Sequence, residues 1–296
     1  MITVIGGGLA GSLLALELAA LGRSVTLLDA GDGDTATALS YGLIRPGAGP
    51  YWRSLRRRHG IVGLQQRWLQ FGPRGWPLPA LQMDPERFMG SMRDALQQLG
   101  VVRRRERLEG STALAPLLAE GPVVLACGSG CRALAPALSD RLRVSWAGIL
   151  ELPPGAMPPP RGLARLPARF ERLALERRAA QLDQEAWIVD AGLVPCGDRC
   201  LAGQITLVRP GLAVGPAPDP AVMERRLRDG LARRWPKLAE LPGRYRQAPV
   251  SFCSDGVPLA EACGRNLWVL AGFSGAFTDL PAAAANLAAQ IHTRSR

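Results

Sequence analysis

Short apolar runs separated by glycine turns open the chain. Residues 2–5, Ile-Thr-Val-Ile, have the continuous apolar character of a buried parallel strand, and residues 10–21 place leucines at helical spacing. Gly22 marks the end of that helix, and residues 25–28 predict a second buried strand that ends at Asp29. The pattern predicts a βαβ unit, and with it an α/β fold.

Periodicity predicts helices and strands in alternation along the rest of the chain. Helices are expected over residues 51–70, 85–99 (with Asp84 as its N-cap), 221–235 and 281–291. Strands are expected over residues 123–126, 187–189, 193–194, 204–208 and 267–271. The glycines and prolines of residues 72–77 and 152–167, including Pro158-Pro159-Pro160, predict loops or a sheet edge. The 296 residues exceed one typical domain, so we expect two.

A glycine fingerprint lies between the first predicted strand and helix. Gly6, Gly8 and Gly11 fit the pattern G-x-G-x-x-G, in which the glycines allow a tight turn, close approach of a pyrophosphate, and helix packing. The helix N-terminus offers free N–H groups to phosphate. Asp29 is placed to accept hydrogen bonds from a ribose and disfavours the 2′-phosphate of NADP. These residues predict FAD or NAD binding; the alternative is a glycine-rich turn in another kind of α/β protein.

The charge of the chain raises the question of a nucleic-acid partner. Its net charge is +11, but of the 36 basic residues only Lys237 is a lysine, a bias that GC-rich coding explains equally well. Three arginine clusters, at residues 53–58, 103–105 and 225–228, have few aromatic residues near them for base stacking. We therefore do not expect nucleic acid as a partner, and an RNA-facing surface stays the alternative.

Cysteine spacing and hydropathy exclude other classes. Cys127/Cys131 and Cys196/Cys200 are spaced Cys-x3-Cys, whereas structural zinc sites usually use Cys-x2-Cys, so we expect core cysteines and no metal site. No window approaches the ~18–20 apolar residues of a membrane span, and the apolar N-terminus lacks the basic start of a signal peptide. These patterns predict a soluble, cytoplasmic protein.

Three further segments, together with the N-terminal βαβ unit, carry a family resemblance. They are Ser40-Tyr-Gly-Leu-Ile-Arg-Pro46, Val123-Val-Leu-Ala-Cys-Gly-Ser-Gly130, and the C-terminal pair Asp255-Gly-Val-Pro258 and Leu267-Trp-Val-Leu-Ala-Gly-Phe-Ser-Gly275. In this order they resemble FAD-dependent oxidoreductases of the D-amino-acid oxidase type. That family includes glycine oxidases, sarcosine oxidases and the oxidase half of a bacterial tRNA-modifying enzyme.

The resemblance implies FAD as cofactor, held in a Rossmann-type domain beside a second, smaller α+β substrate or cap domain. It assigns residues 1–50, 81–146 and 250–296 to the FAD domain, and residues 51–80 and 147–249 to the cap. The residues that it implies for FAD binding are Gly6, Gly8, Leu9, Ala10, Gly11, Asp29, Ser40, Gly42, Leu43, Ile44, Gly128, Gly272, Ser274, Gly275, Ala276 and Phe277.

The implied activity is oxidation of the C–N bond of a small amine or amino acid, with oxygen or another molecule as final electron acceptor. The cofactor supplies the chemistry, so no acid/base set is required and the catalytic residues stay open. The family commonly grips a substrate carboxylate with an arginine at the position of Val250. Arg45, Tyr245 and Arg246 are the substitute candidates. A flavin-dependent tRNA-base-modifying oxidase and a flavin-binding protein without oxidase activity are the alternatives.

Overall fold

A computed structural model describes residues 1–31, 33–156, 163–211 and 215–294. Pro158-Pro159-Pro160 lie outside the described residues. The strands are β1 (Ile2–Ile5), β2 (Val25–Asp29), β3 (Leu43–Ile44), β4 (Leu64–Phe71), β5 (Leu78–Met83), β6 (Val102–Arg105), β7 (Val123–Leu125), β8 (Leu142–Leu152), β9 (Leu163–Leu166), β10 (Ala186–Cys196), β11 (Arg199–Val208), β12 (Arg244–Cys253), β13 (Leu259–Gly264) and β14 (Leu267–Ala271). The α-helices are α1 (Leu9–Ala20), α2 (Gly49–His59), α3 (Pro85–Gln98), α4 (Leu114–Glu120), α5 (Cys131–Leu134), α6 (Arg172–Arg177), α7 (Pro220–Ala232), α8 (Pro236–Ala239) and α9 (Ala276–Arg294).

The first sheet has the strand order β13-β14-β7-β1-β2-β6, and all its neighbours are parallel except the β13–β14 pair. Its two faces are both covered, as a parallel sheet requires. Ile2 and Val4 of β1 pack into a cluster with α1, α3 and α9, whereas Ile5 packs with Leu114 and Leu134 from α4 and α5. The α/β fold class predicted from the sequence is confirmed.

The second sheet has the strand order β12-β8-β11-β10-β9-β4-β5-β3, in which only the β4–β9 pair is parallel. It counts eight strands within the described residues, against six in the first sheet. One face is covered by α7 through Met223, Leu227 and Leu231. The other face packs against Leu175 of α6 and Tyr41, a residue that precedes β3. This second face contacts residues 39–41 and α6, and we call it the facing side.

The helix predicted over residues 51–70 is wrong in its second half. α2 ends at His59, and Gly60 caps it in the left-handed region with φ 64°, its N–H donating to Arg56 O. The chain then turns at Gly63 and runs as β4, paired with β5 and β9. The conformation of residues 64–71 is set by pairing with β5 and β9. The local arginine-rich periodicity carries no information about those partners.

Other elements follow the sequence more closely. Asp84 caps α3, with its Oδ1 accepting from the N–H groups of Glu86 and Arg87 at 3.2 and 3.3 Å, so that prediction is confirmed. The strands expected at residues 187–189 and 193–194 are one strand, β10, which carries an irregularity between Val189 and Gly192. Neither β8 nor β12 was predicted.

The C-terminal helix starts five residues earlier than predicted, with Pro281 inside it. Proline has no N–H to donate, so the carbonyl of Phe277, four residues back, loses its helical partner. The indole Nε1 of Trp52 donates to that carbonyl at 2.8 Å. Trp52 therefore compensates for the proline and fixes α2 against α9. Within the described residues no helix has the length and apolar character needed to cross a membrane.

Candidate functional site

The turn between β1 and α1 contains glycines of two kinds. Gly6 has φ 114°, and a Cβ there would lie 2.6 Å from Ala126 O; a Cβ on Gly11 would lie 1.8 Å from Gly6 O. Both glycines are therefore required by the protein's own packing. Gly8 has an ordinary φ of −71°, and its added Cβ would meet only Thr37 Oγ1, at 3.6 Å. The protein itself gives Gly8 no reason to be glycine, whereas a pyrophosphate approaching the backbone does.

The N-terminus of α1 has backbone N–H groups that no acceptor in the helix satisfies. The first turn of a helix leaves its N–H groups without helical acceptors, and here Thr37 Oγ1 accepts from Leu9 N at 3.2 Å. Ser12 N is the first to bond within the helix, to Gly8 O at 3.0 Å. The helix supplies no acceptor for the N–H groups of Ala10 and Gly11, and its first turn carries no acidic side chain. This terminus suits an anion. No sequence pattern marks Thr37.

Asp29 lies directly beside this turn. A Cβ on Gly7 would come within 2.5 Å of Asp29 Cγ, so Gly7, which the fingerprint leaves unspecified, is also fixed by the site. Arg103 Nη2 on the neighbouring strand β6 lies 3.7 Å from Asp29 Oδ2. Arg105 Nε lies 2.7 Å from where a Cβ on Gly31 would be. At the end of β2, the candidate site is therefore bounded by an acidic side chain that has guanidinium groups beside it.

Residues 40–44 lead from the first layer into the second sheet. Gly42 has φ 65°, and its N–H donates to Ser40 Oγ at 3.0 Å. There is no room for a Cβ, which would lie 1.8 Å from Met83 O. Leu43 and Ile44 then pair with β5 as β3. Glycine at position 42 is therefore explained by the approach of β5, so the structure gives it a packing reason.

Three glycine turns line up at one edge of the first sheet. Gly6 follows β1, Gly128 (φ 58°) follows β7, and Gly272 (φ 82°) follows β14. These strands are adjacent and parallel in the order β14-β7-β1, so their carboxyl ends lie together. We call this the carboxyl edge. In open α/β sheets ligands bind at such an edge.

The turn after β14 leads into the first residues of α9. Gly275 O accepts from Thr278 N at 2.8 Å and from Asp279 N at 3.1 Å, which makes Ala276 and Phe277 the first turn of the helix. Gly272 needs its glycine because a Cβ would lie 2.3 Å from Cys253 Sγ. The structure therefore brings the C-terminal segment predicted from the sequence to the carboxyl edge.

The three substrate-binding candidates are not brought together in the described residues. Tyr245 packs with the α7 cluster, and its hydroxyl donates to Gln247 Oε1 at 3.1 Å. Burial raises the pKa of the Tyr245 hydroxyl, which keeps it protonated. Arg45 is exposed.

Arg246 points to the opposite face from Tyr245, as consecutive strand residues do. Its guanidinium is held by two acids: Nη2 lies 2.6 Å from Asp34 Oδ1, and Nη1 lies 3.2 Å from Glu151 Oε2. The guanidinium groups of Arg199 and Arg246 together hold the pKa of Glu151 below its usual value, against the effect of its burial. Arg246 thus ties the loop after β2 to β8, and its charge is already neutralised.

At position 250, where the sequence resemblance would place an arginine, the neighbours across the strand pair are small. Val250 pairs with Ser145, and Ala248, which packs with Tyr41 on the facing side, pairs with Ala147. No charged group is offered from this part of β12.

A charged group comes instead from α6, a segment that sequence reasoning missed. Arg172 Nη2 donates to Ser274 O at 2.8 Å, and Ser274 Oγ donates to Glu176 Oε2 at 2.8 Å. Asp190 of β10 fixes the start of α6 by accepting from the N–H groups of Glu171 and Arg172. Burial raises the pKa of Glu176, an effect that Arg172 and the Ser274 hydroxyl partly oppose. The Arg-x3-Glu spacing is too common in helices to have marked this pair.

The arginine clusters are partly occupied by contacts within the protein. Arg226 stacks 4.9 Å from the ring centroid of Trp187, and Arg228 donates to the carbonyls of Ala239 and Leu241. Over the part of the chain that the structure describes, no three histidine, cysteine or acidic side chains come together as a metal site.

Comparison with known proteins agrees with this geometry. Residues 1–78 match the family model of the FAD dependent oxidoreductases, DAO. Among solved structures, iminodiacetate oxidase from Chelativorans sp. BNC1 superposes with a TM-score of 0.70 at 13% identity, over 99% of this chain and 95% of that one. Glycine oxidase from Bacillus cereus ATCC 14579 gives 0.67 at 13% identity, over 100% and 95%. Glycine oxidase from Geobacillus kaustophilus gives 0.66 at 15%, over 99% and 94%. No curated protein sequence matches the chain. The predicted fold is thereby confirmed for the described residues, and the resemblance in sequence is confirmed over residues 1–78.

Proposed function

We propose that this chain, which has the fold of amine and amino-acid oxidases, is an FAD-dependent oxidoreductase that oxidises the C–N bond of a small amine or amino acid. The observation that carries the proposal is Gly8. The protein's own packing leaves room for a side chain at this position, yet the residue is glycine. It lies in a glycine turn at the carboxyl edge, beside unpaired N–H groups of α1. That combination fits a dinucleotide.

Different residues along the carboxyl edge would contact different parts of the cofactor. Gly8 and the N-terminus of α1 would hold the pyrophosphate, and Asp29 would accept from the ribose hydroxyls. Residues 40–44, Gly128 and the turn from Gly272 to Phe277 would border the flavin ring. When bound, FAD accepts a hydride from the carbon next to the amine nitrogen. The protein's own task is to orient that carbon and to exclude water.

The substrate side is proposed to lie between the carboxyl edge and the facing side of the second sheet. We propose residues 1–50, 81–146 and 250–296 for the FAD layer and residues 51–80 and 147–249 for the substrate layer. α2 is an exception, because Trp52 and Leu55 pack into the core shared by α1 and α9. A small amine or amino acid is the proposed partner, with oxygen or another molecule as acceptor, in the cytoplasm.

The test is the visible absorbance of the protein after addition of FAD and removal of the excess. Retained flavin bands are expected. Anaerobic addition of glycine, N-methylglycine, a set of D-amino acids, or the matching amines without a carboxylate should bleach the bands with at least one compound. Retained bands that no compound bleaches would contradict the activity, and a protein that retains no flavin would contradict the cofactor as well.

A further inference from the structure

This inference rests on the proposed function and concerns its substrate. We propose that Arg172 and Glu176, one turn apart on α6, recognise the substrate as an amino acid. Arg172 binds the carboxylate, and Glu176 accepts a hydrogen bond from the amine group. The two residues, which we call the α6 pair, would thus distinguish amino acids from plain amines.

The position of the α6 pair is the first reason. Both side chains contact Ser274, Arg172 through the backbone carbonyl and Glu176 through the hydroxyl, each at 2.8 Å. Ser274 belongs to the glycine turn after β14, one of the three turns at the carboxyl edge. The α6 pair therefore lies where the facing side of the second sheet meets the candidate cofactor site. A substrate that reaches a cofactor at this edge passes the same junction.

The second reason is an unused oxygen on a buried acid. Glu176 Oε1 is buried and has no hydrogen-bond partner among the described residues, although Oε2 accepts from Ser274. The nearest cation is Arg172 Nε, at 3.9 Å, which is too far for a hydrogen bond. A buried acceptor without a donor is unfavourable, so such groups are normally satisfied. An amine group supplies the missing donor.

The third reason is the state of the guanidinium. The side chain of Arg172 is 19% exposed, and its hydrogen bonds to described residues use only Nη2. Nη1 has no partner among the described residues, and Nε makes only the 3.9 Å ion pair with Glu176. A guanidinium offers a fork of donors that suits a carboxylate. Its position also supplies the charge that is absent at Val250, whose neighbours on β8, Ser145 and Ala147, are uncharged.

The charges around the α6 pair are compatible with a zwitterion. The groups that face Glu176 are Arg172, Ser274 and, further off, Asp190. Burial raises the pKa of Glu176 and of Asp190, and the Arg172 guanidinium opposes both shifts. Among the described residues the guanidinium donates to Ser274 O and comes no closer than 3.9 Å to Glu176 Oε1, so it forms no hydrogen bond with that carboxylate and can bind another. One cation and one unsatisfied acceptor on successive turns match the two ends of an amino acid, whose reacting carbon would lie between them.

The experiment measures binding to the FAD-loaded protein with two probes that differ in one group. Isobutyrate carries only the carboxylate; 2-aminoisobutyrate carries both groups, and its α carbon has no hydrogen to lose. Calorimetry and the flavin difference spectrum report binding without turnover. Arg172→Gln should weaken both probes by about 10- to 100-fold, the worth of a charged hydrogen-bonded contact. Glu176→Gln should weaken 2-aminoisobutyrate by a similar factor and leave isobutyrate unchanged.

Arg177→Gln is the matched control, because Arg177 is exposed on the same helix; it should bind both probes as the wild type does. Flavin content and thermal melting identify any variant that loses its fold. Glu176→Gln preserves side-chain size and a partner for Ser274, so it decides the question if Arg172→Gln proves unstable. The proposal is overturned if a folded Glu176→Gln binds both probes normally. It is also overturned if neither probe binds the wild type while an amine bleaches the flavin, a result that leaves the proposed function intact.

Discussion

Replacing Gly8 by alanine should separate cofactor binding from folding. Gly8 has φ −71° and ψ −170°, which alanine adopts freely, and the new methyl would have 3.6 Å to its nearest neighbour, Thr37 Oγ1. Alanine is a poorer N-cap than glycine by about 0.5–1 kcal/mol, and the loss of unfolded-state entropy offsets about the same amount. The free energy of unfolding of the apoprotein should therefore change by less than about 1 kcal/mol.

The same methyl lies where a pyrophosphate must approach. Inserting a methyl into a close contact costs about 1–3 kcal/mol, which corresponds to about 5- to 150-fold weaker FAD binding. Gly11→Ala is the contrasting variant: its Cβ would lie 1.8 Å from the carbonyl oxygen of Gly6, so the apoprotein itself should lose about 3 kcal/mol or more. Gly90→Ala in α3, whose Cβ would meet only Arg93 Nη2 at 3.7 Å, serves as a control that should keep full affinity.

Urea denaturation of the apoprotein and titration of flavin fluorescence measure the two effects separately. The reasoning is refuted if Gly8→Ala binds FAD as tightly as Gly90→Ala does. It is refuted equally if Gly8→Ala unfolds as easily as Gly11→Ala, because the protein would then have its own need for glycine at position 8.

Three further changes test the structural account by urea denaturation. Asp84→Ala should lower the free energy of unfolding by about 1 kcal/mol, since the carboxylate accepts hydrogen bonds from two N–H groups at the start of α3. Asp84→Asn should lower it by less, because asparagine is also a good N-cap. Trp52→Phe should cost about 1–3 kcal/mol, because the Phe277 carbonyl freed by the helical proline loses its donor. Glu176→Gln should gain stability relative to the wild type as pH rises above 4.5. Burial raises the pKa of Glu176 from that value, so its contribution is full below 4.5 and is lost as pH passes the folded-state pKa.

Each of these has a result that would contradict it. An Asp84→Ala variant as stable as the wild type would mean that α3 does not depend on its cap. A neutral Trp52→Phe would mean that water or a shifted helix satisfies the Phe277 carbonyl. A stability difference for Glu176→Gln that does not vary with pH would mean that this carboxyl titrates normally.

The N-terminal unit could be predicted from sequence because its determinants are local. Gly6 and Gly11 are glycines for reasons of close packing, and Asp29 ends the second strand, so spacing alone located them. The same holds for Asp84, whose carboxylate acts on residues two and three positions away. Where the structure of an element is determined by residues close to it in sequence, the sequence pattern is sufficient to predict that element.

The second sheet could not be predicted in this way. β8 and β12 pair with each other across about a hundred residues, and β4 pairs with β9 across a similar span, so their partners decide their conformation. Pro281 lies within α9, and the donor for the carbonyl that it leaves unpaired comes from Trp52 on another helix. The α6 pair was missed for the same reason, since its significance comes from Ser274, which lies 98 residues further along than Glu176.

The interleaving of the two sheets also sets when each becomes complete during synthesis. β14 lies between β13 and β7 in the first sheet, and α9 packs against α1, so elements made early wait for elements made late. β12, the edge strand next to β8, likewise arrives late. Until α9 has left the ribosome, the apolar faces of β1 and α1 lack their final cover. A nascent chain that stalls short of this point would expose them, and would be a substrate for chaperones and proteases.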